Sequence, residues 1–269
     1  MALQPSILRF RVDGFVRVPE VLSGAQLRHA QEAFAAATAG LVLPGEVALL
    51  PHLGEFLGVL GLSDLLALAA ELMPTRYEGL PQCVSLTGHT APTTNGWRRD
   101  YARPVKDIVL YGPAAPPQHM TDSLKVFIAL QDQPMDLLSF GSGSHRMAGA
   151  PSEASASVWE AKAGDAMLVD GRTWYNDDSL GSGGGGGAFL AFEYRSTKEK
   201  NEEMVELGLK LEASGALAEA GEMALHLLGL GNRGATGGGA NGSINTGGLP
   251  VGALDSMMRD MPGRSQAML

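Results

Sequence analysis

"DSLKVFIALQDQPMDLLSFGSGSHR", residues 122–146, decides the fold. Two short apolar runs, LKVFIALQD and DLLSFGSGSH, are bounded by Pro, Gly, Ser and Asp, and such runs read as strands. The same texture extends outward on both sides: PQCVSLTGHT (81–90), VKDIVLYG (105–112), AGDAMLVDG (163–171) and GAFLAFEYRS (187–196). Six such runs in about 120 residues predict an antiparallel sandwich or barrel. Upstream, FRVDGFVRV (10–18) alternates and predicts a short strand. Ser23 with Gln26 forms a capping box, and Leu27, Ala30 and Phe34 follow at helical spacing, so a helix is expected over 24–38. Residues 55–73 are expected to be mostly helical, with Ser63 capping a second segment and Pro74 ending it. Helices first and strands later give an α+β chain, mainly β.

Helical character returns after Thr197, where Met204, Leu207 and Leu211, then Leu225 and Leu228, recur along KEKNEEMVELGLKLEASGALAEAGEMALHLLGL. Gly208, Gly215 and Gly221 are expected to break or weaken this helix. Residues 229–249 hold too little apolar surface to order themselves. Beyond them, Leu254, Met257, Met258 and Met261 could line one face of a short helix; the pattern alone favours an unordered tail, and the sharper reading is a tethered helix that docks into a partner groove, the candidate partner-binding segment. The expected organisation is therefore 1–196, a strand-rich domain with N-terminal helices; 197–228, a helical extension; and 229–269, a Gly-rich tail with a Met-rich end.

The chain of 269 residues is 45% hydrophobic and carries a net charge of −9, enough for a real core. Its densest basic group, Arg98, Arg99, Arg103 and Lys106, is too small to recommend nucleic acid. No run of about 18 apolar residues exists to span a membrane. MALQPSILRFRVDGF shows no secretory pattern, so the expected compartment is cytoplasmic, with a cytoskeletal, ciliary or organellar site left open. The single Cys83 permits no internal disulfide and reads as a buried small residue.

Five segments in order carry a resemblance. DGFVRVPEVLSGAQLRHAQEAF (13–34), GWRRDY (96–101), the opening stretch, AGDAMLVDGRTWYNDDS (163–179) and GAFLAFEYRS resemble the phytanoyl-CoA dioxygenase family from about residue 10 to 196. The resemblance implies a double-stranded β-helix, a jelly-roll barrel with flanking helices, and the chemistry of Fe(II)- and 2-oxoglutarate-dependent hydroxylases. Such a site needs two His and one carboxylate, with three positions left open. At the matching positions this chain has Arg98, Asp100 and Tyr175. The Arg that the resemblance expects beyond the distal ligand, to hold 2-oxoglutarate, falls in GSGGGGG (181–187).

One carboxylate does not hold Fe(II) against water, and a guanidinium beside it makes binding worse. Two unit charges 4 Å apart interact by about 4 kcal/mol at an effective dielectric of 20, and a divalent ion doubles this. Arg98 is therefore expected to pair with Asp100, its guanidinium standing where the metal would be, with Tyr175 close by. His89, His119 and His145 read first as hydrogen-bonded or solvated side chains; a replacement site would be built from His89, Asp100 and His119. No Gly-Lys-Ser/Thr follows the Gly-rich stretches, and no G-x-S-x-G elbow occurs. Asp177 and Asp178 read as a solvated turn.

Three functions follow as expectations. The first is a non-catalytic protein of this family, a structural or protein-binding subunit that meets other chains through its C-terminal extension and needs no cofactor. The second, the alternative, is an oxygenase with a rearranged metal site using Fe(II) and 2-oxoglutarate. The third is a small-molecule binder that uses an emptied barrel as its pocket.

Overall fold

Nine strands form two antiparallel sheets in a computed structural model that describes residues 3–40, 46–73, 82–89, 96–100, 121, 123–132, 138–176, 188–195, 201–215, 217 and 226–230. The strands are β1 (Phe15–Val18), β2 (Glu46–Ala48), β3 (Gln82–His89), β4 (Ser123–Ala129), β5 (Ser139–Gly141), β6 (Ala156–Val158), β7 (Ala166–Asp170), β8 (Tyr175–Asn176) and β9 (Phe189–Arg195). The larger sheet runs β1-β7-β4-β9-β3-β2 and the smaller β6-β5-β8. This is the double-stranded β-helix, α+β and mainly β; strand pairing does not close it into a barrel among the described residues. Five of the six anticipated runs contain β3, β4, β5, β7 and β9, and 105–112 lies outside the described residues.

Side-chain alternation divides the large sheet into two faces. On β4, Leu124, Val126 and Ile128 join the core beneath the helices, while Phe127 and Ala129 join a second cluster facing the small sheet. β7 and β9 split the same way, with Leu168 and Phe192 on the helix side and Met167, Val169, Phe189 and Ala191 on the other. Phe140, Trp159 and Tyr175 complete the inner cluster from the second sheet and its flanks.

The helices are α1 (Leu3–Asp13), α2 (Gly24–Thr38), α3 (Leu53–Leu60), α4 (Ser63–Leu72) and α5 (Glu202–Ala213). The strand expected over 10–18 is corrected: residues 10–13 end α1, and only Phe15–Val18 is strand. Ile7 and Phe10 are buried at helical spacing, and Gly14 ends the helix at φ +84, its N–H bonded to the Phe10 carbonyl. α2 matches its predicted span, but Ser23 makes no side-chain cap; its carbonyl takes the Gln26 N–H instead. Ser63 likewise does not cap α4 and is the first residue within it, following Leu62. Asn201 does cap α5, accepting from Glu203 and Met204 N–H.

Gly208 does not break α5. A Cβ there would stand 2.8 Å from Leu230 Cδ1, so the glycine lets the buried 227–230 segment lie against the helix. Gly215, at φ +79, follows its end. No single helix among the described residues is long and apolar enough to cross a membrane. Leu254, Met257, Met258 and Met261 lie outside the described residues.

Candidate functional site

The WRRD stretch reaches the small sheet by a backbone bridge. Arg98 N–H donates to the Tyr175 carbonyl at 2.9 Å, and Tyr175 N–H returns a bond to Arg98 at 2.8 Å. This bridge brings Arg98, Asp100 and Tyr175 together, as their sequence positions suggested. The Tyr175 hydroxyl donates to Asp100 Oδ1 at 2.7 Å, and the Arg98 guanidinium lies 5.1 Å from the Tyr175 ring centre.

The expected Arg98–Asp100 ion pair does not form. Lys125 takes the carboxylate instead, with Nζ 2.7 Å from Asp100 Oδ2 and 2.9 Å from the Tyr175 hydroxyl oxygen, to which it donates. Arg98 leans toward Glu46, 3.8 Å away on β2. The physical reason lies in β4. Lys125 shares strand parity with Phe127 and Ala129, so its stem runs along the inner face and delivers the ammonium to Asp100. Arg99 turns the other way, stacking over Trp174 at 4.8 Å and donating to the Met147 and Ala148 carbonyls.

Lys125 is the residue that sequence reasoning missed. Its signal was present: one cation inside LKVFIA, at the parity of Phe127. Only the position of Asp100 in space says what that cation is for.

His89 ends β3 with no exposure to solvent. Its ring stacks on Phe189 at 4.5 Å, Nε2 lies 3.2 Å from Thr87 Oγ1, and Nδ1 has no partner among the described residues. Burial, then the Lys125 and Arg98 charges, lower its pKa to about 3, with Asp100 opposing. His89 is therefore neutral at pH 7. His145 sits in the Gly-Ser-His turn, accepts from Arg146 Nε at 3.1 Å, and would touch any Cβ on Gly14. That places it in the turn that clamps the end of α1. His119 lies outside the described residues. Cys83 is buried, and burial pushes its thiol up to about 12.

Iron fits poorly here. The one carboxylate of the three matched positions already has both oxygens engaged, and an ammonium stands 2.7 Å from it. Among the described residues no group of three or more His, Cys, Asp or Glu side chains is arranged to hold a metal ion. The segment 181–187, where the resemblance expects the 2-oxoglutarate Arg, lies outside the described residues. Among the described residues the inner face carries packed rings: Phe127 meets Phe140, Tyr175 and Phe189, and Phe140 meets Phe15 and Trp159, with ring centres 5.2–6.5 Å apart.

No protein-family profile matches the chain, and no curated protein matches it. Solved structures do. One is SnoN, a non-heme alpha ketoglutarate dependent epimerase from nogalamycin biosynthesis: 17% identity over 73% of this chain and 84% of that one, TM-score 0.53. Another is HygX from Streptomyces hygroscopicus with nickel and 2-oxoglutarate bound: 13% identity over 72% and 87%, TM-score 0.55. At these identities the likeness is one of fold. The chain has the fold of the iron- and 2-oxoglutarate-dependent oxygenases.

Proposed function

We propose that this chain is a non-catalytic protein on the oxygenase fold, without iron chemistry, that works by binding other protein chains. One observation carries the first half of this reading: Lys125 and Tyr175 each engage one oxygen of the only carboxylate at the three matched positions. A dication placed there would lose its carboxylate and face a cation at contact distance. By Coulomb's law this opposes binding by several kcal/mol even at an effective dielectric of 20. The partner-binding half rests on sequence, on residues 197–269 beyond the strand-rich domain and on the apolar set Leu254, Met257, Met258 and Met261.

The test is anaerobic loading of the full chain with Fe(II), followed by metal analysis and an assay for 2-oxoglutarate conversion to succinate. The reading expects no retained iron and no succinate above background; stoichiometric iron with succinate release overturns it.

A second reading is an oxygenase with a rearranged site. In its favour, SnoN has been crystallised with Fe3+ and alpha ketoglutarate, and HygX with nickel and 2-oxoglutarate. His89 also keeps an unpartnered buried nitrogen beside the cluster. This reading draws its remaining ligands from outside the described residues, His119 first. The same iron and succinate measurements decide between the two readings.

A further inference from the structure

Asp100 is not the only group that receives Lys125. The ammonium also lies 4.9 Å from the centre of the Tyr175 ring and 5.3 Å from that of Phe127. A carboxylate oxygen, a phenol oxygen and the Phe127 ring therefore surround one nitrogen; at 2.9 Å from the Tyr175 hydroxyl it meets that residue by its oxygen, at the ring's edge. A ring face at this range attracts an organic cation through its quadrupole. A transition metal gains little from ring faces and needs lone pairs at short range instead. The surroundings of Nζ are those of an ammonium receptor.

We propose that the inner face of this fold holds a primary-ammonium site, formed by Asp100, Tyr175 and Phe127, which the chain fills itself with Lys125. It deepens the non-catalytic reading above and rests on it, because the same carboxylate serves no metal. The butyl stem of Lys125 makes the ligand intramolecular, so the site is filled without a free amine. Removing the stem beyond Cβ leaves room for its missing part, which is propylammonium.

The test uses the full chain with Lys125→Ala. Thermal unfolding is followed with n-propylammonium, tetramethylammonium or Ni(II), each compared with sodium at equal ionic strength. Propylammonium is expected to raise the midpoint of the variant by a few degrees and to leave the unaltered protein unchanged. Tetramethylammonium, which has no N–H to donate to Asp100 and Tyr175, is expected to do less. Should Lys125→Ala fold poorly, Lys125→Met and Asp100→Asn, singly and together, measure the Lys125–Asp100 coupling that the site requires. Each single change leaves one charge without its partner, so the double variant is expected to be more stable than the sum of the single losses allows.

No shift with propylammonium, a larger shift with Ni(II), or additive single losses would each overturn the inference. These results are separable from the function test. Retained iron with succinate release sinks the non-catalytic reading whatever the variants do. An iron-free protein with additive losses sinks only the ammonium site.

Discussion

Acid should weaken this protein through His89, whose burial keeps the folded state from taking up the proton. Its ring has no solvent exposure, an unpartnered Nδ1, and Lys125 and Arg98 as neighbouring cations with Asp100 opposing. Its folded pKa of about 3 lies below the 6.5 of an exposed imidazole. The unfolded chain therefore takes up the proton first. The stabilisation is fully present above pH 6.5 and is lost as pH falls toward 3. The whole interval corresponds to about 5 kcal/mol. At pH 5 the loss is about 2 kcal/mol, and it depends almost entirely on the unfolded pKa. His89→Phe keeps a ring against Phe189 and cannot titrate. Thr87 still has the Ala191 carbonyl at 3.5 Å. Urea unfolding at pH 7 and pH 5, followed by tryptophan fluorescence, measures both proteins. The gap between them should shift by about 2 kcal/mol in favour of the variant at pH 5. Equal losses in the two proteins would refute the buried neutral His89.

Other positions give independent checks. Asp165, 1% exposed, accepts from Arg17 and from the N–H groups of Glu20 and Lys162, so Asp165→Ala should cost about 3 kcal/mol in denaturant unfolding. Gly164→Ala should cost at least about 2 kcal/mol, because φ is +91 and the new Cβ would stand 2.1 Å from the Leu22 carbonyl oxygen, a backbone atom with little room to yield. Tyr194→Phe removes a buried bond to the Leu60 carbonyl and should cost about 1–2 kcal/mol by the same measurement. The Cys83 thiol, held at about 12 by burial, should resist a disulfide reagent at pH 8 in the native protein and react at once in denaturant.

The sites where local pattern and structure part company have definite causes. Residues 10–13 alternate like a strand, yet the burial of Ile7 and Phe10 and the left-handed Gly14 make them the end of a helix. Ser23 and Ser63 look like caps, but Ser23 makes no side-chain cap bond, and Ser63 lies one residue inside its helix, with Leu62 at the cap position. Gly208 looked like a breaker because propensity counts only the helix; the approach of Leu228 and Leu230 makes a bare Cα the residue that fits.

What the sequence determined by itself was local and periodic. Five strand runs and the span of α2 follow from side-chain type at fixed spacing. It also brought Arg98, Asp100 and Tyr175 under suspicion as a group. What only the tertiary structure decided was which cation serves Asp100. Arg98 is two residues away along the chain and Lys125 twenty-five, but a charge pair obeys distance in space. Strand parity on β4 delivers the Lys125 ammonium to 2.7 Å from the carboxylate, while Arg98 is bridged through its backbone to Tyr175 and lies 3.8 Å from Glu46.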